Sequence, residues 1–143
     1  EQISKQKSKR SGIQSILCNF FQFDSIRICT MKEQITFNDF DKVDIRVGTV
    51  ISVRKNEKAR KPSLVVEVDF GEEIGIKQSS AQITHYYNEE NLKGKQVIGV
   101  CNFAEKNIAG VVSQVLILGS IDKEGKVILV HPSQKSENGL PIA

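Results

Sequence analysis

Tryptophan is absent from this chain of 143 residues, histidine occurs twice and cysteine three times. Cys18, Cys29 and Cys101 form no Cys-x-x-Cys pair and are odd in number, which argues against a disulfide scaffold or a zinc site. Cys101 closes the apolar run Val97-Ile98-Gly99-Val100-Cys101 and is expected as a buried, inert thiol, in keeping with a reducing compartment. His85 stands beside Tyr86 and Tyr87, and His131 precedes Pro132. Neither belongs to a His-Glu-x-x-His, Cys–His or Gly-x-Ser-x-Gly setting, and there is no Walker or Gly-x-Gly-x-x-Gly sequence. The acid pairs Glu72-Glu73 and Glu89-Glu90 fall in turn segments and read as solvated charge. No stretch reaches the ~18 consecutive apolar residues that a membrane span needs. The expectation is a chain with no catalytic centre, metal, cofactor or membrane anchor.

What is present is enough for one compact domain plus an appendage. A 39% hydrophobic content can bury a core. The formal charge of +3 is unevenly divided. Residues 1–30 carry five bases and two acids, while residues 31–143 carry 15 of each sign. The folded part is therefore neutral, and binding to a polyanion must come from a local patch.

The chain changes character at Met31. Residues 1–30 are Ser/Lys-rich and then apolar without clean periodicity, and are expected to be a poorly structured or non-native extension. Met31 would then be the natural first residue, followed by the domain at 31–143. The rival reading is an organellar targeting segment, because Gln2–Phe23 has several bases and no acid. Without targeting, the location is cytoplasmic.

From Thr36 the signals are regular. Thr36 followed by Asp39 has the spacing of a capped short helix over Phe37–Phe40. Val43 to Ile51 alternates as a strand with Val43, Ile45, Val47 and Ile51 inward, and Gly48 marks a bulge or sharp bend. Leu64–Phe70 puts Leu64, Val66, Val68 and Phe70 inward, and a short third strand covers Ile74–Gln78. Ser79–Tyr87 reads as a helix capped by Ser79 or Ser80. Strands follow at Val97–Phe103, Val112–Leu118 and Lys126–His131. Three strands, a helix and further strands in this order give an all-β class. The architecture expected is a five-stranded Greek-key OB-fold barrel with short helices, one of them between strands 3 and 4. A sandwich is the alternative.

Three segments could bind a polyanion. Arg54-Lys55-Asn56-Glu57-Lys58-Ala59-Arg60-Lys61-Pro62 packs five bases and one acid between the first two strands, beside the face where OB barrels hold oligonucleotides. A soluble hairpin is the plainer reading. Lys77-Gln78-Ser79-Ser80 gathers a base, an amide and two hydroxyls where a strand would enter a helix N-terminus, a place that favours phosphate. In Asn102-Phe103-Ala104-Glu105-Lys106-Asn107-Ile108, Asn102 and Asn107 can read base edges. Phe103 packs in the core if its strand runs straight, and stacks on an unpaired base if the strand bends.

Lys42-Val43-Asp44-Ile45-Arg46-Val47-Gly48-Thr49-Val50, Ala59-Arg60-Lys61-Pro62, Asp69-Phe70-Gly71 and Ile74 to Ile83 together resemble the CsaA family. So do Asn102-Phe103, Ile108, Ser113 to Gly119 and the ending Asn138-Gly139-Leu140-Pro141-Ile142-Ala143. That family groups with the tRNA-binding domains at the C-terminus of many bacterial methionyl-tRNA synthetases. The resemblance spans residues 35–143. It implies an OB-fold homodimer formed partly through the chain ends, sequence-tolerant tRNA binding, and a disputed second role as an export-related chaperone of unfolded peptides. A synthetase in trans is a further implied partner. Carried over by position, the RNA face takes Arg60 and Lys61 from the basic loop, to which charge alone adds Arg54 and Lys58, and Lys77, Ser79 and Ser80 from the third-strand segment. It takes Asn102, Phe103, Lys106 and Ser113 from the later segments. The sequence departs from the family at Ala104-Glu105, where proline and a base are usual, and Glu105 brings a repulsive charge to the phosphate path.

Overall fold

Residues 30–143 are described by the structure, a computed structural model. The expectations placed on residues 1–29, including Cys18 and Cys29, lie outside the described residues.

Helix α1 (Phe37–Asp41) begins where the Thr36–Asp39 spacing predicts. Asp39 N–H donates to Thr36 Oγ1 at 3.2 Å and Thr36 N–H donates to Asp39 Oδ2 at 2.9 Å, a reciprocal capping box. The backbone bond from Thr36 is the main reason that the Asp39 carboxyl lies below its ordinary range. None of the helix's residues is buried.

Strand β1 (Ile45–Lys55) is long enough to serve two partners. Its later half pairs antiparallel with β2 (Leu64–Asp69) and its earlier half with β4 (Gln96–Val100). With β3 (Ile76–Ala81) and β7 (Leu116–Ile117) they form a five-stranded sheet in the order β3-β2-β1-β4-β7. Two small hairpins complete the fold: β5 (Lys106–Ile108) with β6 (Val111–Ser113), and β8 (Gly119–Ile121) with β9 (Val127–Leu129). The sheet curls into a nearly closed antiparallel barrel, the OB-type architecture expected from the strand order.

The phase of β2 follows its sequence, with Leu64, Val66, Val68 and Phe70 all in the core. The phase of β1 does not. Val43 and Ile51 are each 37% exposed, and Val47 is buried outside the core cluster, whereas Val50 faces inward. Gly48 also faces inward: a Cβ there would stand 2.5 Å from Val68 Cγ1 and 2.8 Å from the Phe70 ring. The bulge expected at Gly48 lies instead at Ile51, where the register with β2 shifts between Val50 and Ser52. Gly99 plays a similar part on β4, since a Cβ there would meet Val115 Cγ2 at 2.8 Å and Phe70 Cζ at 3.0 Å. Both glycines make room for the Phe70 ring and a valine beside it, a long-range demand that alternation cannot reveal.

The helix expected over Ser79–Tyr87 is not formed. Ser79 and Ser80 lie in β3, paired with Val66 and Val65 of β2. The six-residue ladder with β2 satisfies this backbone, so no helix N-terminus and no helical phosphate site exists there. The helix between β3 and β4 is α2 (Glu89–Leu92), started by a second capping box of Asn88 and Asn91. Strand β4 stops at Val100, short of the expected Phe103, and Val112–Leu118 is broken into β6 and β7 around Gln114-Val115. The third strand runs to Ala81 instead of Gln78, and the last shortens to Val127–Leu129.

The end of the chain acts as a further partner for β1. Gly139 N–H donates to the Val47 carbonyl at 2.8 Å, Val47 N–H to Leu140 at 3.0 Å and Ile142 N–H to Ile45 at 2.9 Å. Gln96 exchanges two side-chain bonds with the Ser136 backbone, at 2.6 and 2.9 Å. The side of β1 left open by β2 is thereby closed.

Candidate nucleic-acid interface

The basic segment between β1 and β2 is an ordered turn. Asn56 N–H donates to the Ser63 carbonyl at 3.0 Å, closing the loop at its base. The Asn56 side-chain carbonyl accepts the Lys58 N–H at 3.2 Å, an Asx turn, and its backbone carbonyl accepts the Ala59 N–H at 3.2 Å. Asn56 is buried, and its amide reaches Ser80 Oγ at 3.5 Å. These bonds shape the loop at its base and first turn.

The β5–β6 hairpin sits across from that turn. Its two-residue connection, Ala109-Gly110, has φ of 48° and 80°, the paired left-handed geometry of a tight hairpin turn. A Cβ on Gly110 would touch Lys58 Cδ at 3.3 Å, so the basic loop packs against the hairpin tip. The hairpin's base is fixed to β3. Ser80 N–H donates to Ser113 Oγ at 3.2 Å, Gln114 N–H to the Gln78 carbonyl at 2.8 Å and Gln78 N–H to Gln114 Oε1 at 3.3 Å.

Between these elements lies a cavity of about 720 Å³ lined by Arg60, Lys61, Ser79, Ser80 and Lys106, all expected site residues, together with Ser63, Gln82 and Asn107. Its apolar wall comes from Ile108, Leu116 and Ile121. Lys58 stands at its rim beside Gly110, and Ser113 lies behind it, fully buried and bonded to Ser80. Arg60 and Lys61 have no ion-pair partner among the described residues. Glu105, the acid that departs from the family pattern, accepts a bond from Gln114 Nε2 at 2.8 Å.

Other expected residues lie apart from this cavity's lining. Arg54 is exposed on β1, paired across the ladder with Val65. Lys77 is half-buried in β3, where its charge works to lower the Cys101 pKa. Asn102 clips the start of β1: its Nδ2 donates to the Lys42 carbonyl at 2.7 Å and its Oδ1 accepts the Asp44 N–H at 3.0 Å. The chain bends after β4, so Phe103 leaves the inward series and is 44% exposed. Sequence reasoning passed over Asn56 and Ser63, which set the shape of the basic loop. An asparagine inside a loop of cations was the one signal of the turn.

Cys101 is a half-buried free thiol whose pKa is raised to about 11, mainly by burial, with the Asp44 charge adding to it. Arg46 offsets part of that rise and bonds Asp44 Oδ1 at 2.5 Å. Among the described residues no group of His, Cys, Asp and Glu could hold a metal ion, and no helix is long and apolar enough to cross a membrane.

Residues 45–141 match the family model described as "Putative tRNA binding domain". The chain belongs to the tRNA-binding domain family. The methionine–tRNA ligase of Chlorobium limicola is 40% identical over 113 residues, 79% of this chain but 16% of the ligase. The chain thus spans about one sixth of the curated relatives of this kind that it matches. The chaperone CsaA of Bacillus anthracis is 44% identical, with a TM-score of 0.74 over 78% of this chain and all of that one. A protein related to methionyl-tRNA synthetase from Pyrococcus horikoshii is 27% identical, with a TM-score of 0.70 over 78% and 100% of the two chains.

Proposed function

We propose that this domain binds tRNA non-catalytically, through its shape and backbone, at the face where the Asn56–Ser63 loop, β3 and the β5–β6 hairpin meet. The observation that carries the reading is the convergence of Arg60, Lys61 and Lys106 on one cavity of a domain with no net charge. Cations gathered on one turn can meet successive phosphates, and each contact releases counterions. Lys58 extends this path along the hairpin, while Arg54, Lys77 and the Asn102–Phe103 bend would meet more distant parts of an extended ligand. Ser79, Ser80 and Ser113 act as scaffold behind the charges. A gel shift with unfractionated tRNA at low salt tests the proposal, and its absence at micromolar protein would end it.

The working unit is a homodimer in the cytoplasm. Phe37 is 75% exposed on α1, and the chain end carries the exposed Leu140 and Ile142, apolar surface that a second copy would cover. Light scattering gives the mass directly. The ligase relatives make a synthetase partner in trans a natural extension, checked by co-purification.

A second reading, binding of unfolded peptides, is supported by a larger groove of about 1540 Å³ on another side of the barrel. Ile51 and the 56%-exposed Ile128 line it, beside the segment His131–Pro141. Peptide binding there would be nearly independent of salt and would survive loss of Arg60 and Lys61.

A further inference from the structure

Glu105 lies on the connection between β4 and β5, two residues after the exposed Phe103. It immediately precedes Lys106, which lines the cavity of Arg60 and Lys61. Although exposed, the carboxylate is held: its Oε1 accepts a bond from Gln114 Nε2 at 2.8 Å. Gln114 is itself tied to β3 twice. Its N–H donates to the Gln78 carbonyl at 2.8 Å, and its Oε1 accepts the Gln78 N–H at 3.3 Å. An ionised carboxylate has about four acceptor sites, and Gln114 uses one of them. The chain Gln78–Gln114–Glu105 therefore fixes an accessible pair of acceptors between an exposed ring and the first cation of the proposed interface.

We infer that Glu105 reads an unpaired guanine of the bound RNA, with Phe103 against the face of the base and the adjoining phosphate at Lys106. A carboxylate on a phosphate path repels the backbone, but it rewards N–H donors, and the charge strengthens each bond. Guanine alone among the four bases presents two adjacent N–H donors on its Watson–Crick edge, matching the two oxygens of a carboxylate. Adenine and cytosine set one donor beside an acceptor, and uracil sets one donor between two acceptors, so each turns a lone pair toward the anion. An unpaired base stacked on an aromatic side chain exposes that edge to its neighbours. The residue that departs from the family pattern thus converts a sequence-tolerant surface into one with a base preference. The inference rests on the tRNA-binding reading and adds that preference to it.

The test is fluorescence anisotropy of the full chain at low salt with short labelled oligouridines. Each strand carries one central guanosine, inosine, adenosine or cytidine, and the all-uridine strand is the reference. The guanosine strand is expected to bind tighter than the others by about fivefold or more, the discrimination of a good bidentate pair. Inosine, which lacks the second donor, falls between. Glu105 is exposed, so its variants fold. Glu105→Gln offers one acceptor and one donor and should move the preference to adenosine, while Glu105→Ala should level the series. Equal affinities in the unaltered chain, or a guanosine preference that survives in Glu105→Ala, overturn the base-reading site. A tRNA gel shift in the same samples separates the two ideas: retained tRNA binding with equal affinities removes the preference alone, and loss of tRNA binding removes the proposed function with it.

Discussion

The backbone N–H of Ser80 donates to the side-chain hydroxyl of Ser113 at 3.2 Å, so that a side chain closes the barrel where a regular ladder bond would otherwise run. Both residues are buried. The bond holds the β5–β6 hairpin, and with it Lys106, beside the basic loop. Ser113→Ala leaves a buried N–H unsatisfied and is expected to cost about 1–3 kcal/mol. Thermal unfolding measures the loss, and a weaker hold on the hairpin should also appear as faster amide exchange at Ser80.

Ala109 carries a φ of 48°, a conformation that costs an L-residue roughly 1–2 kcal/mol. Asparagine followed by glycine is the preferred pair for this turn. Ala109→Asn should therefore stabilise the domain by about 1 kcal/mol. Calorimetry would show a higher midpoint, and a lower one would mean that the turn is not strained.

Phe70 occupies space left by Gly48 and Gly99. In Gly48→Ala the new methyl would stand 2.5 Å from Val68 Cγ1 and 2.8 Å from the ring, too close to stay without movement. Overpacking of this kind costs about 1–3 kcal/mol. Denaturant unfolding should show a lower midpoint at unchanged slope.

These three cases also mark what could be read from the chain. The α1 capping box and the inward face of β2 depend on residues two to four apart, and both were legible. The barrel followed from the order of strands. Alternation gives the wrong phase for β1 because Gly48 is not a bulge but an inward position beside Val68 and Phe70. No helix forms over Ser79–Tyr87, because two serines that would cap a helix in isolation pair here with strand β2. Arg60, Lys61 and Lys106 were legible as cations, but their convergence on one cavity depends on Asn56 and Ser113, whose bonds cross long stretches of sequence.

The Cys101 thiol is raised from about 9.0 to about 11, so the folded state holds this proton more tightly than the unfolded chain. The sign follows: its contribution to stability is full below pH 9.0 and is lost as pH rises toward 11. In a Cys18→Ser, Cys29→Ser background, Cys101 should react slowly with a thiol reagent at pH 8. Cys101→Ala should flatten the fall in stability across that window relative to its parent. Rapid labelling at neutral pH would contradict the burial of this thiol.

The most direct measurement is a tRNA titration repeated across salt, for the unaltered chain and for the double variant Arg60→Ala, Lys61→Ala. Binding through these two phosphate contacts predicts a linear fall of log K with log salt, and a slope shallower by about two in the variant. No binding at low salt, or the same slope in both proteins, would contradict the proposed interface.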